Sequence, residues 1–294
     1  MIGKKHGWES GGNFALFVAP AAVCVFLAFY APFLMNAYYA FTDWNGIQRA
    51  ARFNGISNFV ELATDADFLG SVVFTVKFAV LYIAITNFLA ILVAVLLNHK
   101  LAIAGAVRAA IFVPYILSLV IVGFIWSFVL GPGFQSLAAS TGWGFFKVDW
   151  LGDLRVVGLT VVLVSVWQSL GFYVLIYHAG LQAIPKETSE AALLDGAGPA
   201  TKLFKVTLPM LGPSVTSCFF FSLAASIRVY DVIVSLTRGG PGRATSSVTF
   251  DIYTEAFSRN RYGYGTAKSL AVLLLVVILA VVQLRKMKSR EVEA

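Results

Sequence analysis

The sequence predicts an all-α polytopic membrane protein. Three observations carry that prediction. The chain contains about six largely apolar runs, each near the roughly 20 residues that a spanning helix needs. It is 59% hydrophobic with a mean hydropathy of +0.80. Only 13% of its residues are charged, against about 25% in soluble domains. A disordered chain would be poorer in apolar residues than this one.

The elements follow in order. A basic tail over residues 1–13, with Lys4 and Lys5, precedes the first run at 14–37. A cleaved signal peptide is the competing reading of this run. Its length, with Pro20 and Pro32 inside it, favours an uncleaved first helix. Further runs lie at 72–97, 104–130, 156–180, 212–236 and 263–284, so the transmembrane domain covers 14–284. A second basic tail, 285–294, carries Arg285, Lys286, Lys288 and Arg290.

An even number of spans puts both termini on one side. The two tails, the 98–100 turn and the loop from Lys186 to Lys205 share the basic residues, which places them in the cytoplasm. The outer loops are then 39–70, 131–155 and 237–262, and they too carry arginines: Arg49, Arg52, Arg155, Arg238, Arg243, Arg259 and Arg261. A net charge of +7 and a pI near 9.4 would suggest nucleic acid in a soluble protein. Here the basic residues sit at the ends of apolar runs, so the partner is the lipid bilayer and no nucleic acid is expected. Cys24 and Cys218 lie inside apolar runs, and His6, His99 and His178 are scattered, so no metal site, disulfide framework or catalytic residue is expected. The chain is read as a transport subunit, not an enzyme.

Between the fourth and fifth runs, over 181–211, the sequence turns polar. Pro185 suits the first turn of a helix, and Glu187 and Glu190 put acid near its positive end. Gly196 and Gly198 permit a sharp stop, and Pro199 can open a second short helix with Lys202, Leu203 and Phe204. Pro209 and Pro213 should end that helix. Neither helix can bury its apolar side alone, so the pair can rest on lipid or fill a groove on a partner.

The spacing of Glu190, Ala191, Ala192, Gly196, Val206, Leu208 and Pro209 resembles the EAA signature of permease subunits in bacterial ABC importers. Val206 stands where isoleucine is more usual. The resemblance extends over nearly the whole chain, to the carbohydrate branch that takes up maltodextrins, glycerol 3-phosphate and multiple sugars. It is carried by Ala19-Pro20, the outer-loop segments 41–44 and 53–59, and Val113-Pro114-Tyr115. It is carried further by Gly180 to Pro185, Thr237 to Pro241, Ile252-Tyr253 and Phe257. The resemblance implies the type I importer permease fold in the bacterial inner membrane. It implies three protein partners: an ABC ATPase, a second related permease and an extracytoplasmic solute-binding protein. The ATPase-coupling residues would be those of the signature, with Asp195 and Gly198 beside them. No GxxxxGK[ST] motif occurs in the chain, so ATP and magnesium are expected on the partner ATPase, with no cofactor here.

Polar residues inside spans tend to mark pathways. Gln168, Ser169 and Phe172 fall within about one helical turn, and Ser222 and Ser226 share a helix face. These five and Val229 resemble the sugar-contact positions of the maltodextrin permease. Arg228 precedes Val229 where that permease is rich in amides, which puts maltose itself in doubt. Close helix packing is the alternative role for the serines. Arg228 and Asp231, three apart, are expected to pair on one helix, with a site for a solute anion as the alternative, while Lys77 and Lys268 are expected to snorkel. The function implied is ATP-driven import of a sugar or sugar-like solute. The alternatives are a glycerol 3-phosphate or other non-sugar importer, or a secondary transporter.

Overall fold

The computed structural model describes residues 11–98 and 104–288. Lys4, Lys5, His6, His99, Lys100 and Arg290 lie outside the described residues. The helices, in order, are α1 (Phe17–Tyr39), α2 (Ser57–Thr64), α3 (Ala66–Leu97), α4 (Ala104–Ile116), α5 (Leu119–Thr141) and α6 (Val157–Ala183). They continue with α7 (Lys186–Leu194), α8 (Pro199–Met210), α9 (Gly212–Ile227), α10 (Asp231–Leu236), α11 (Val248–Tyr253) and α12 (Tyr262–Lys288). Among the described residues there is no strand, only an isolated bridge between Thr42 and Phe53. Helices α1, α3, α5 and α6 are long and apolar enough to cross a membrane, and α8 with α9, bent by 67°, form a fifth candidate. Of two shorter apolar helices, 105–116 is the first part of the third run and 262–278 covers most of the sixth.

The chain divides into two compact units. One comprises residues 1–64 and 252–271. Its α1 tolerates two prolines. A wide π turn at Phe26–Tyr30 sits where the Pro32 ring would otherwise press on the preceding turn. None of the apolar stretch of α1 is buried. The amide of Asn58 ties α2 to the end of α1, donating to the Ala40 and Thr42 carbonyls at 2.9 Å each. A buried carboxylate, Glu255, organises the rest of this unit. It pairs with Arg259 at 2.9 Å, Arg261 at 3.1 Å and Lys268 at 3.6 Å. Arg261 also reaches Glu61 at 2.6 Å. Burial works against the Arg261 charge, but the carboxylates of Glu61 and Glu255 together hold its pKa above the usual value. The expectation that Lys268 snorkels is corrected. Its side chain is fully buried, beside Glu255 and over the Tyr264 ring, because a buried acid lies within reach.

The second unit comprises residues 65–251 and 272–294. Asp65 caps α3, accepting from the Phe68 amide at 3.0 Å, and Asp67 adds acid to the first turn. Helices α3 and α6 pack along each other, with α9 against α3, α4 against α6 and α10 against α5. Close packing depends on two glycines. A Cβ at Gly171 would meet the Ile111 carbonyl of α4, and one at Gly123 would overlap the Ser235 side chain of α10.

Two expected spans are interrupted. The third run is broken between Ile116 and Leu119, where Ser118 is extended with ψ at 133°. Pro114 stands inside α4, two residues before its end. The fifth run is broken between Ile227 and Asp231, where neither proline nor glycine stands. Its freed carbonyls find distant partners: Ser247 Oγ donates to Val229 O at 2.6 Å and Thr249 Oγ1 to Ile227 O at 3.1 Å.

Candidate functional site

Gln168 and Ser169 lie roughly 17 Å along α6 from its first residue, near the middle of that helix. Their surroundings explain their composition. Gln168 Nε2 donates to the Tyr115 and Leu117 carbonyls at 3.3 and 3.2 Å, so it satisfies acceptors freed by the break before α5. Ser169 Oγ accepts from the Tyr82 hydroxyl at 2.8 Å and donates to the Ser165 carbonyl at 2.9 Å. Phe172 stacks on Tyr115 with centroids 5.2 Å apart and meets Phe221 edge-on.

Gln168, Ser169 and Val229 line one small cavity of about 80 Å³, walled also by Tyr82, Leu119, Arg228 and Asp231. Both helix breaks border it, one through Leu119 and the other through residues 228–231. Interrupted helices around a polar cavity are a recurrent way of building a solute site inside a membrane. Phe172, Ser222 and Ser226 are not among its lining residues. Both serines are fully buried. Ser222 Oγ accepts from Asn87 Nδ2 at 3.2 Å, and Asn87 Oδ1 accepts from the Tyr177 hydroxyl at 2.7 Å. This chain of bonds locks α3, α6 and α9 together. Ser226 donates to the Leu223 carbonyl at 2.8 Å.

The expected pair of Arg228 and Asp231 does not form. Arg228 Nε donates to the Ala224 carbonyl at 3.3 Å, and Asp231 stands in the first turn of α10. The helix break separates them, so the spacing rule for one continuous helix does not apply. Both are exposed and line the cavity, the solute-site role that the sequence reading held second to pairing. The signal available was the rarity of charge within apolar runs.

The segment between α6 and α9 forms a second candidate site. Pro185 is the N-cap of α7, with Glu187 in its first turn. The helix ends in a Schellman arrangement. The Gly196 amide donates to the Leu193 carbonyl at 3.1 Å and the Ala197 amide to the Ala192 carbonyl at 3.0 Å. Gly196 has φ at +74°, the left-handed conformation this motif needs. Gly198 has an ordinary φ of −65° and caps α8, so only the first of the two glycines makes the stop. Helix α8 ends at Met210, between Pro209 and Pro213 as expected, and a π turn over Leu203–Thr207 precedes the first proline.

Of the signature residues, Ala192 is buried, Val206 and Leu208 are half-buried, and Glu190, Ala191, Asp195, Gly198 and Pro209 are exposed. Leu193, Leu194 and Phe204 add exposed apolar surface, 89% in the case of Leu194. Exposed apolar side chains in a cluster rimmed by charge mark a contact surface.

Residues 86–285 match the model of the family described as binding-protein-dependent transport system inner membrane component. The chain is 34% identical, over all of both chains, to the probable starch degradation products transport system permease protein AmyD of Thermoanaerobacterium thermosulfurigenes. It is 32% identical, over 99% of this chain and 98% of the other, to the multiple sugar-binding transport system permease protein MsmF of Streptococcus mutans. Its fold is similar to that of a chain in a bacterial ABC transporter involved in the import of the acidic polysaccharide alginate. The TM-score there is 0.81 with 19% identity, over 94% of this chain and 95% of that one.

Proposed function

Because the chain belongs to the family of binding-protein-dependent transport system inner membrane components, we propose that it is the permease subunit of an ATP-driven importer for a sugar or oligosaccharide. The starch-product and multiple-sugar permeases it resembles over their full length support that solute class. The observation that carries the transport role is the cavity bordered by two broken helices. A sugar presents hydroxyls that both donate and accept. Arg228 supplies donors, Asp231 acceptors and Ser169 its remaining lone pair, while Tyr82 offers an aromatic face for apolar ring edges.

The partners follow from the family. A solute-binding protein delivers cargo on the outer side. A second permease completes the pathway. An ATPase, which holds ATP and magnesium, docks on the exposed ridge of α7 and α8. In this reading Glu190, Ala191, Ala192, Asp195, Gly196, Gly198, Val206, Leu208 and Pro209 couple the ATPase to the spans. The body made by α3, α6 and α9 then moves as a unit, because the Tyr177–Asn87–Ser222 bonds cross it. Both termini and the coupling segment lie in the cytoplasm.

The test is sugar uptake by proteoliposomes holding the assembled complex and the binding protein. Uptake should require ATP and the binding protein. Gly196→Pro should abolish it, because proline cannot donate to the Leu193 carbonyl or adopt a positive φ. Undiminished uptake by that variant, with the chain present in the membrane, would refute the coupling role.

A further inference from the structure

A second cavity shares no lining residue with the first. It is an apolar crevice of about 310 Å³ between the last residue of α3, the middle of α4 and the later half of α6. Leu97, Phe112, Gly171 and Leu175 give it apolar walls, and Arg108 and His178 line it as well. Its volume is in the range of small-molecule sites, about 300–1,000 Å³. Arg108 is exposed and has no acidic partner among the described residues. His178 is held by Gln182, whose Nε2 lies 3.0 Å from its Nε2. Arg108 is the fifth residue of α4, roughly 6 Å along the helix from its start. A cation near a helix end, beside an apolar slot in a membrane protein, is complementary to one abundant ligand class. That class is a lipid with an anionic headgroup.

We propose that this crevice holds an anionic phospholipid, with an acyl chain along the Leu97, Phe112 and Leu175 walls and its phosphate on Arg108. In the orientation proposed above, on which the choice of leaflet rests, the crevice opens to the cytoplasmic leaflet. Anionic lipids are drawn to basic side chains there. A neutral lipid could fill the apolar part equally well, because hydrocarbon gains little from leaving hydrocarbon. Selectivity therefore resides in the arginine. The occupied crevice lies against α6, the helix that carries Gln168 and Ser169, so lipid composition should modulate transport.

The experiment is native mass spectrometry of the assembled, detergent-purified transporter after titration with phosphatidylglycerol or phosphatidylcholine. The wild type should retain phosphatidylglycerol preferentially. Arg108→Gln should lower that retention about fivefold and leave phosphatidylcholine unchanged. Leu175→Trp should lower both by filling the slot. The measurement in detergent does not depend on which way the chain faces, so it can fail without the orientation failing, and the reverse. Equal retention of phosphatidylglycerol by wild type and Arg108→Gln would overturn the proposal. So would efficient cross-linking of a Leu175→Cys variant to a neighbouring permease in native membranes, which would mean that protein fills the crevice.

Discussion

Gln168 does structural work at a position where the sequence suggests solute contact. Its amide bonds two carbonyls freed by a helix break, so Gln168→Leu should destabilise the complex by about 1–3 kcal/mol. The thermal midpoint of the purified complex should fall accordingly. An unchanged midpoint with weaker sugar transport would assign the residue to the solute alone. Arg228 offers the opposite contrast. It makes a bond to the carbonyl of its own helix and no ion pair among the described residues, so Arg228→Ala should leave the midpoint within about 0.5 kcal/mol of wild type. Transport should fall at limiting sugar, and Arg228→Lys should restore part of it. Gly196→Ala should cost about 1 kcal/mol locally, since an alanine is strained at φ +74°. Uptake should drop partially, midway between wild type and Gly196→Pro.

The helices show which parts of a fold are local in sequence. The end of α7 was legible because its stop is made within six residues, from Ala192 to Ala197. The break before α10 was not, because the hydroxyls that satisfy it come from Ser247 and Thr249, 18 and 22 positions away. The π turn before Pro209 was not legible either, since no proline rule anticipates it. The exposed ridge of α7 and α8 yields a further expectation. Leu194→Asp alters a side chain that packs on nothing, so the permease should remain folded. Recovery of the ATPase in a pull-down with this chain as bait should fall at least about tenfold, the effect of losing a contact worth about 1.4 kcal/mol. Full recovery would mean that the ATPase grips elsewhere.

At the scale of the whole molecule, apolarity gave the class correctly, and charge gave a less clean signal. The outer loops carry arginines that blur the positive-inside bias. Three of them, Arg243, Arg259 and Arg261, are engaged by carboxylates: Asp67 and Asp251 for the first, Glu255 and Glu61 for the others. Paired charges of this kind are bound into structure and are poor guides to topology. Setting those three aside weakens the case against the proposed cytoplasmic termini. Labelling of single cysteines in intact cells checks this, after Cys24 and Cys218 are replaced. An impermeant maleimide should reach Ser140→Cys directly and Ala200→Cys only after permeabilisation. The reverse pattern would invert the molecule. Helix α1 carries a last consequence. None of its apolar stretch is sheltered by the rest of the chain. With no sheltering neighbour in the chain, it must be retained in the bilayer by its own transfer free energy. An aspartate at Phe29, worth about 3 kcal/mol on insertion, should therefore act during biogenesis, producing chains threaded the wrong way round in place of chains that are threaded correctly and then melt.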